Sequence, residues 1–278
     1  MRTMKQLFLG LLLLLLCPAL SLAADTQLTG MWQGEYQHSS GQDPVKFDMA
    51  LIQDGATVVG FIKEKNTFGK RTEQPWLHAI VKGRFDKKTD KLTLTKTYDG
   101  TAGEEHDVEY SGKLSERGKK LEGKWTVKED QNGPFTAEKV AETGSGSSAG
   151  IWSGTYQYPD GSGQGPVKFQ VIIIQQGQEL TGFIKEPNTF GENKDEPWLH
   201  ADIKGNFDKD AGKLTFTKTY DGTAGPSHDV EYSGTLSEDG KKVEGNWTLG
   251  NLSGAFTIEK LSLDKQTLDS IKEGPARE

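Results

Sequence analysis

Cysteine is almost absent from this sequence, and its one instance, Cys17, lies near the N-terminus. Residues 1–24 around it have the pattern of a secretory signal peptide: Arg2 and Lys5 come first, an apolar run at 7–16 follows, and small residues close the segment. The run is shorter than the roughly 20 residues of a membrane helix. We therefore predict cleavage of this segment and a mature chain without disulfides, thiol nucleophiles or cysteine metal sites.

Positive charge is also in deficit. The chain has 33 Lys and Arg against 40 Asp and Glu, and loss of Arg2 and Lys5 with the signal takes the formal net charge from −7 to −9. This balance argues against nucleic acid or an anionic membrane as the main partner. Since no second long apolar run follows, we expect no stable membrane insertion and a secreted or periplasmic localisation.

Catalytic motifs are missing as well. We find no nucleophile elbow, phosphate loop or metal cluster. His106-Asp107 and His228-Asp229 have the residue types of catalytic pairs, but neighbours in a strand point to opposite faces. The sequence therefore predicts a protein that is not an enzyme and has no cofactor and no metal.

The main positive feature is an internal repeat. Residues 95–103, TKTYDGTAG, recur letter for letter at 217–225, and 37 of 52 positions are identical between 61–112 and 183–234. Such a long period indicates tandem whole domains rather than a solenoid. We predict a first domain at 28–140, a Gly/Ser linker at 141–149, a second domain at 150–262 and a C-terminal tail at 263–278.

Each copy is predicted to contain eight strands, because apolar and polar residues alternate with period two between turn signals. In the first copy the predicted strands are 30–38, 44–53, 57–64, 77–85, 90–98, 106–115, 120–128 and 134–140. The apolar residues of strand three fall on both faces, so its inward face is ambiguous. Residues 131–134, Gln-Asn-Gly-Pro, are predicted as a turn.

These patterns predict an all-β protein of two tandem antiparallel eight-stranded up-and-down β-barrels, with a sandwich as the alternative. The first strand begins Gly30-Met31-Trp32, a later strand contains Gly123-Lys124-Trp125, and Pro75-Trp76-Leu77-His78 follows strand three. These motifs resemble the avidin and lipocalin barrels. The resemblance implies a closed barrel end plugged by Trp32, but it does not carry over biotin binding.

In a meander, the ends of odd strands and the long loops after them share one rim, which is where ligand-binding barrels open. Polar residues with inward parity gather near that rim in both copies. We predict that they form a ligand-binding set: Tyr36, Glu64, Lys96, Tyr98, His106 and Tyr110, with Tyr156, Glu186, Lys218, Tyr220, His228 and Tyr232 in the second copy.

Two interpretations of this set stay open. In one, Glu64 and Lys96 form a structural ion pair covered by tyrosines; in the other, the set receives the polar end of a small, partly apolar ligand. A protein partner held by loops and outer faces, including Phe61 and Phe183, is the alternative function. An isomerase or cyclase that uses Lys96, His106 and Glu64 for proton transfer ranks last.

Overall fold

The computed structural model describes residues 27–38, 43–128, 131–142 and 148–264. The predicted signal peptide, part of the predicted linker and most of the predicted tail lie outside these ranges.

Period-two alternation gives each copy eight consecutive antiparallel strands. The strands of the first copy are β1 (Gly30–Tyr36), β2 (Val45–Asp54), β3 (Thr57–Lys65), β4 (Trp76–Asp86), β5 (Lys91–Tyr98), β6 (Asp107–Ser115), β7 (Lys120–Lys128) and β8 (Gln131–Glu142). The strands of the second copy are β9 (Gly150–Tyr156), β10 (Val167–Gln176), β11 (Glu179–Pro187), β12 (Trp198–Asp208), β13 (Lys213–Tyr220), β14 (Asp229–Leu236), β15 (Lys242–Leu249) and β16 (Leu252–Lys260).

Both meanders close on themselves. In the first, β1 pairs with β2 and also with β8; in the second, β9 pairs with β10 and with β16. Closure gives each of the sixteen described strands two hydrogen-bonded neighbours. The predicted pair of tandem up-and-down barrels is confirmed, and the sandwich alternative is wrong.

A tryptophan closes one end of each barrel. Trp32 is fully buried and its indole Nε1 donates to the Leu28 carbonyl at 2.9 Å. Trp152 does the same to the Ser148 carbonyl at 3.1 Å. Near the opposite end, Trp125 donates to the Gln37 carbonyl at 3.0 Å. Each buried indole N–H therefore has an acceptor, as its burial requires.

The prediction of a turn at 131–134 is wrong. Gly133 pairs with Trp125 and Asn132 with Thr126, so β8 begins three residues earlier than predicted. A Cβ at position 133 would lie 2.0 Å from the Gln37 carbonyl oxygen, so the backbone comes this close only because the residue is glycine. Gly133 therefore permits close strand contact, and Pro134 pairs with Lys124 within β8 rather than ending the strand.

A third apolar cluster lies between the barrels. On β3, Val58 and Ile62 face the interior of the first barrel, whereas Val59 and Phe61 face outward. Those outward residues pack in one buried cluster with Ile172 and other outward residues of the second barrel. The ambiguous parity of strand three thus has a physical cause: both of its faces are buried.

Candidate functional site

Four polar side chains form a network inside the first barrel, beneath its long loops. Lys96 Nζ lies 2.6 Å from Glu64 Oε2 and 2.7 Å from the Tyr98 hydroxyl. The Tyr98 hydroxyl donates to Glu64 Oε1, and the Tyr36 hydroxyl donates to the same oxygen at 3.3 Å. Both carboxylate oxygens and the lysine therefore find partners within the barrel.

Burial controls the electrostatics of this network. Lys96 and Glu64 are each 1% exposed. Burial lowers the pKa of Lys96, and the adjacent Glu64 opposes that effect. Burial and the Glu64 carboxylate both raise the pKa of Tyr98 and of Tyr36, so the two phenols stay protonated and act as donors.

The second barrel repeats the arrangement. Lys218 Nζ lies 2.6 Å from Glu186 Oε2 and 2.6 Å from the Tyr220 hydroxyl, which donates to Glu186 Oε1. The Tyr156 ring centroid is 5.5 Å from Lys218 Nζ. Tyr158 packs edge-on against Tyr156 at the place where His38 packs against Tyr36 in the first barrel.

An aromatic side chain from the long loop covers each network. The Phe68 ring lies 5.7 Å from the Tyr98 ring and 6.1 Å from the His106 ring, and 39% of Phe68 is exposed. Phe190 makes the same contacts with Tyr220 and His228. Each long loop is thus a lid that places one phenylalanine over the barrel mouth.

The structure joins Tyr36, Glu64, Lys96 and Tyr98 by hydrogen bonds, whereas the other two predicted residues pack against aromatic rings. His106 packs against Tyr98 while its Nδ1 lies 3.2 Å from the Glu104 carboxylate. Tyr110 and its counterpart Tyr232 pack against interior phenylalanines instead.

A second polar cluster, which the sequence interpretation missed, lies between the barrels. The imidazoles of His78 and His200 stack face to face, 3.6 Å apart and 2° from parallel. His78 Nε2 lies 2.9 Å from Asp221 Oδ2, and His200 Nε2 lies 2.9 Å from Asp99 Oδ2. Each histidine therefore bonds an aspartate of the opposite barrel.

Lysines and tryptophans complete this cluster. Lys63 Nζ is 3.3 Å from Asp221 Oδ2, and Lys185 Nζ is 3.1 Å from Asp99 Oδ2. Trp198 donates from Nε1 to the Asp99 carbonyl at 2.9 Å. The Lys185 ammonium also lies 4.2 Å from the Trp198 ring centroid, a cation–π distance.

The charges between the barrels are strongly perturbed. Burial and the neighbouring His78 lower the pKa of His200 to about 4, against the opposing effect of Asp99. Burial alone would raise the pKa of Asp99, but Lys185 and His200 hold it well below its usual range. An ionised carboxylate only accepts, so Nε2 of His200 carries the proton that it donates to Asp99.

The space left in this cluster is small. A cavity of about 20 Å³ lies between the barrels, lined among others by Phe61, His78 and His200. That volume holds about one water molecule. Phe61 and Phe183 point outward as expected, but they are 6% and 9% exposed because they face the other barrel, so they are not available to a partner.

Within 27–38, 43–128, 131–142 and 148–264, no group of three or more His, Cys, Asp or Glu side chains could hold a metal ion. In the same part of the chain, no helix has the length and apolarity needed to cross a bilayer.

The fold and both clusters define an all-β protein of two joined barrels. No family model matches the chain, and no curated protein matches its sequence. Among solved structures, the isotype 1 transferrin binding protein B from serogroup B Neisseria meningitidis is 8% identical at a TM-score of 0.30, over 84% of this chain and 77% of that chain. Kievitone hydratase from Nectria haematococca is 9% identical at a TM-score of 0.21, over 85% and 90%. Similarities at these TM-scores carry no argument about function.

Proposed function

We propose that the protein is a non-enzymatic binding protein of the cell exterior, and that the paired barrel mouths bind a protein partner. One observation carries this proposal: two near-identical mouths, each covered by a phenylalanine that is exposed (Phe68) or half-buried (Phe190), are held side by side by contacts between their own loops. Arg71 Nε in one long loop donates to Glu196 in the other. The leader-like segment 1–24 supports the location.

The barrel interiors favour an external partner over a deeply buried ligand. Lys96, Glu64 and Tyr98 already satisfy one another, and they are at most 4% exposed. A ligand that reached Lys96 would have to replace a charge-assisted hydrogen bond in a desolvated site, which is costly. The lids, in contrast, present the exposed Phe68 and the accessible part of the half-buried Phe190 without breaking any polar contact.

Affinity capture from the compartment in which the protein resides tests this function. The double variant Phe68→Ser with Phe190→Ser should lose the partner, because interface energy concentrates in buried aromatic anchors. Val140→Ser is the matched control, since Val140 is 52% exposed but lies in β8 away from the lids. Cross-links should map to 66–75 and 188–197. A partner that is retained by the double variant, or cross-linked elsewhere, would contradict the proposal.

A small, partly apolar ligand in each mouth is the second candidate function, supported by the lids themselves. If Phe68 swings away, the exposed edge consists of His106 and Tyr98, with Lys96 and Glu64 behind them. Tyr36 bonds Glu64 and Tyr110 packs against Phe135, and the second mouth offers the corresponding residues. Native mass spectrometry of protein isolated from its source should then show up to two bound molecules. A bare polypeptide mass would exclude this candidate and leave the protein-partner proposal intact.

A further inference from the structure

The contacts between the barrels are reciprocal. His78 bonds Asp221 as His200 bonds Asp99, and the Trp76 indole donates to the Asp221 carbonyl as Trp198 donates to that of Asp99. The two stacked histidines, His78 and His200, occupy corresponding positions in the two barrels. Contacts in which i touches j and j touches i define an isologous interface, the type that joins identical subunits in two-fold dimers.

The long loops follow the same rule. The Ala224 amide donates to Gln74 Oε1 at 3.0 Å, and the Ala102 amide donates to Glu196 Oε2 at 3.0 Å. The apolar patch is formed from matching strands: Ala50 and Ile52 of β2 correspond to Ile172 and Ile174 of β10. The two barrels therefore meet as two subunits would, although they belong to one chain.

Two contacts between the barrels have no reciprocal counterpart, and each of them is an ion pair. Arg71 pairs with Glu196, yet the second barrel has Asn193 in place of Arg71 and the first has Gln74 in place of Glu196. Similarly, Lys63 Nζ lies 2.9 Å from Asp202 Oδ2, at a position where the first barrel has an isoleucine.

These ion pairs make a pair of one first and one second barrel more stable than a pair of two identical barrels. The Glu196 side chain is fully buried. Two second barrels placed face to face would bury two such carboxylates opposite Asn193, without an arginine. Removing the partner of a buried charge is strongly unfavourable. Two first barrels would place the neutral Gln74 where Arg71 now meets a carboxylate, so each like pair lacks an ion pair that the unlike pair has.

We propose that this face is a pairing surface that recognises the opposite type of barrel, whether in the same chain or in a second copy, and that the covalent connection is not needed to hold the pair. This inference does not depend on the proposed function. The occupant is a barrel of this same chain, chosen by the Arg71–Glu196 and Lys63–Asp202 charge pairs.

The first experiment removes the covalent connection from the folded full chain. A protease site is placed in segment 143–147, the purified protein is cleaved, and the halves are followed by size exclusion and native mass spectrometry. We expect the halves to run together at the mass of the uncleaved chain at low micromolar concentration. Halves that separate under these conditions would overturn the proposal.

The second experiment tests recognition between copies. Cleaved protein with and without isotope label is mixed, and the masses of all pairs are measured. Unlike pairs of mixed label should form, with like pairs at least about tenfold rarer, as expected for a buried charge left without its partner. The absence of mixed-label pairs, or like pairs in statistical proportion, would overturn it.

Variants then test whether the Arg71–Glu196 ion pair decides which barrels pair. Arg71→Glu should separate the cleaved halves. Lys70→Glu should not separate them, because the second barrel already has a glutamate, Glu192, at the corresponding position. Adding Glu196→Gln to Arg71→Glu should restore part of the pairing, because Gln is the residue that position 74 already uses to accept an amide. Glu196→Gln alone should raise the fraction of pairs formed by two second barrels. This substitution should not disturb the fold, because glutamine already occupies the corresponding position 74. Equal effects of the substitutions at 70 and 71 would contradict the assignment.

Discussion

Acid should weaken the contact between the barrels through His200. The imidazole is buried against His78, and its Nε2 donates to Asp99. Its Nδ1 is buried and has no hydrogen-bond partner among the described residues. A second proton at Nδ1 would therefore create an unpaired N–H and a charge beside His78, which is why the folded pKa is low.

The size of the effect follows from the difference between the two states. The pKa of His200 is about 4 in the folded protein, against an ordinary value of 6.5. Between these values the unfolded chain binds more protons, so stability is complete above pH 6.5 and falls as the pH drops toward 4. The loss is roughly 2.5 kcal/mol by pH 4.5, or a decrease in Tm of roughly 5–10 °C. The lowered pKa values of Asp99 and Asp221 add a further loss at lower pH.

Urea unfolding between pH 7 and 4.5 measures this loss. His200→Gln keeps a side-chain N–H for Asp99 but does not titrate, so its free energy of unfolding should depend much less on pH. His228→Gln is the control, because His228 is exposed in the second mouth. A wild-type free energy of unfolding that stays constant over this pH range would refute the role of His200. The same holds if His200→Gln and His228→Gln both lose as much stability in acid as the wild type.

Two further predictions concern the barrel interiors. Lys96→Met leaves Glu64 buried without a counter-charge, so it should lower the free energy of unfolding in urea by about 3–5 kcal/mol. Adding Glu64→Gln should recover most of that loss. A loss below about 1 kcal/mol in the single variant would contradict this prediction. Gly154→Ala should cost about 1–3 kcal/mol, because its Cβ would lie 2.4 Å from the Phe169 ring. Gly165→Ala, where nothing lies within 4 Å of the added atom, should stay within about 0.5 kcal/mol of wild type, and equal losses at the two positions would show that packing is not the cause.

The barrel fold was predictable because strand period and hairpin length are local properties. Leu92, Leu94, Lys96 and Tyr98 alternate with threonines, and this alone orients β5. Eight such strands that follow one another as antiparallel neighbours have few ways to bury one face. The start of β8 was predicted wrongly because Gly133 is consistent with either a turn or a close backbone contact, and only the neighbouring chain decides between them.

The interior cluster was predictable in part for the same reason. Parity placed Lys96 on the inside and left the inward face of the strand that carries Glu64 ambiguous. Whether two inward side chains touch depends on the closure and shear of the barrel, which no single strand encodes. The contact between the barrels was not predicted at all. Its signal was present in β10, where Val171 to Ile174 are consecutive apolar residues, because a strand without alternation is buried on both faces.

The repeated segment has a consequence for how the chain folds. Residues 95–103 and 217–225 are identical and occupy the same place in the two barrels, so either copy could donate its lysine and tyrosine to Glu64 or to Glu186. Side-chain recognition therefore barely distinguishes the native state from one in which β5 and β13 have exchanged places. What distinguishes them is the short hairpin that ties each strand to its own neighbours, since closing a short loop costs less entropy than closing a long one. The correct assignment of strands to barrels thus rests on the connectivity of the chain and on the order in which hairpins close.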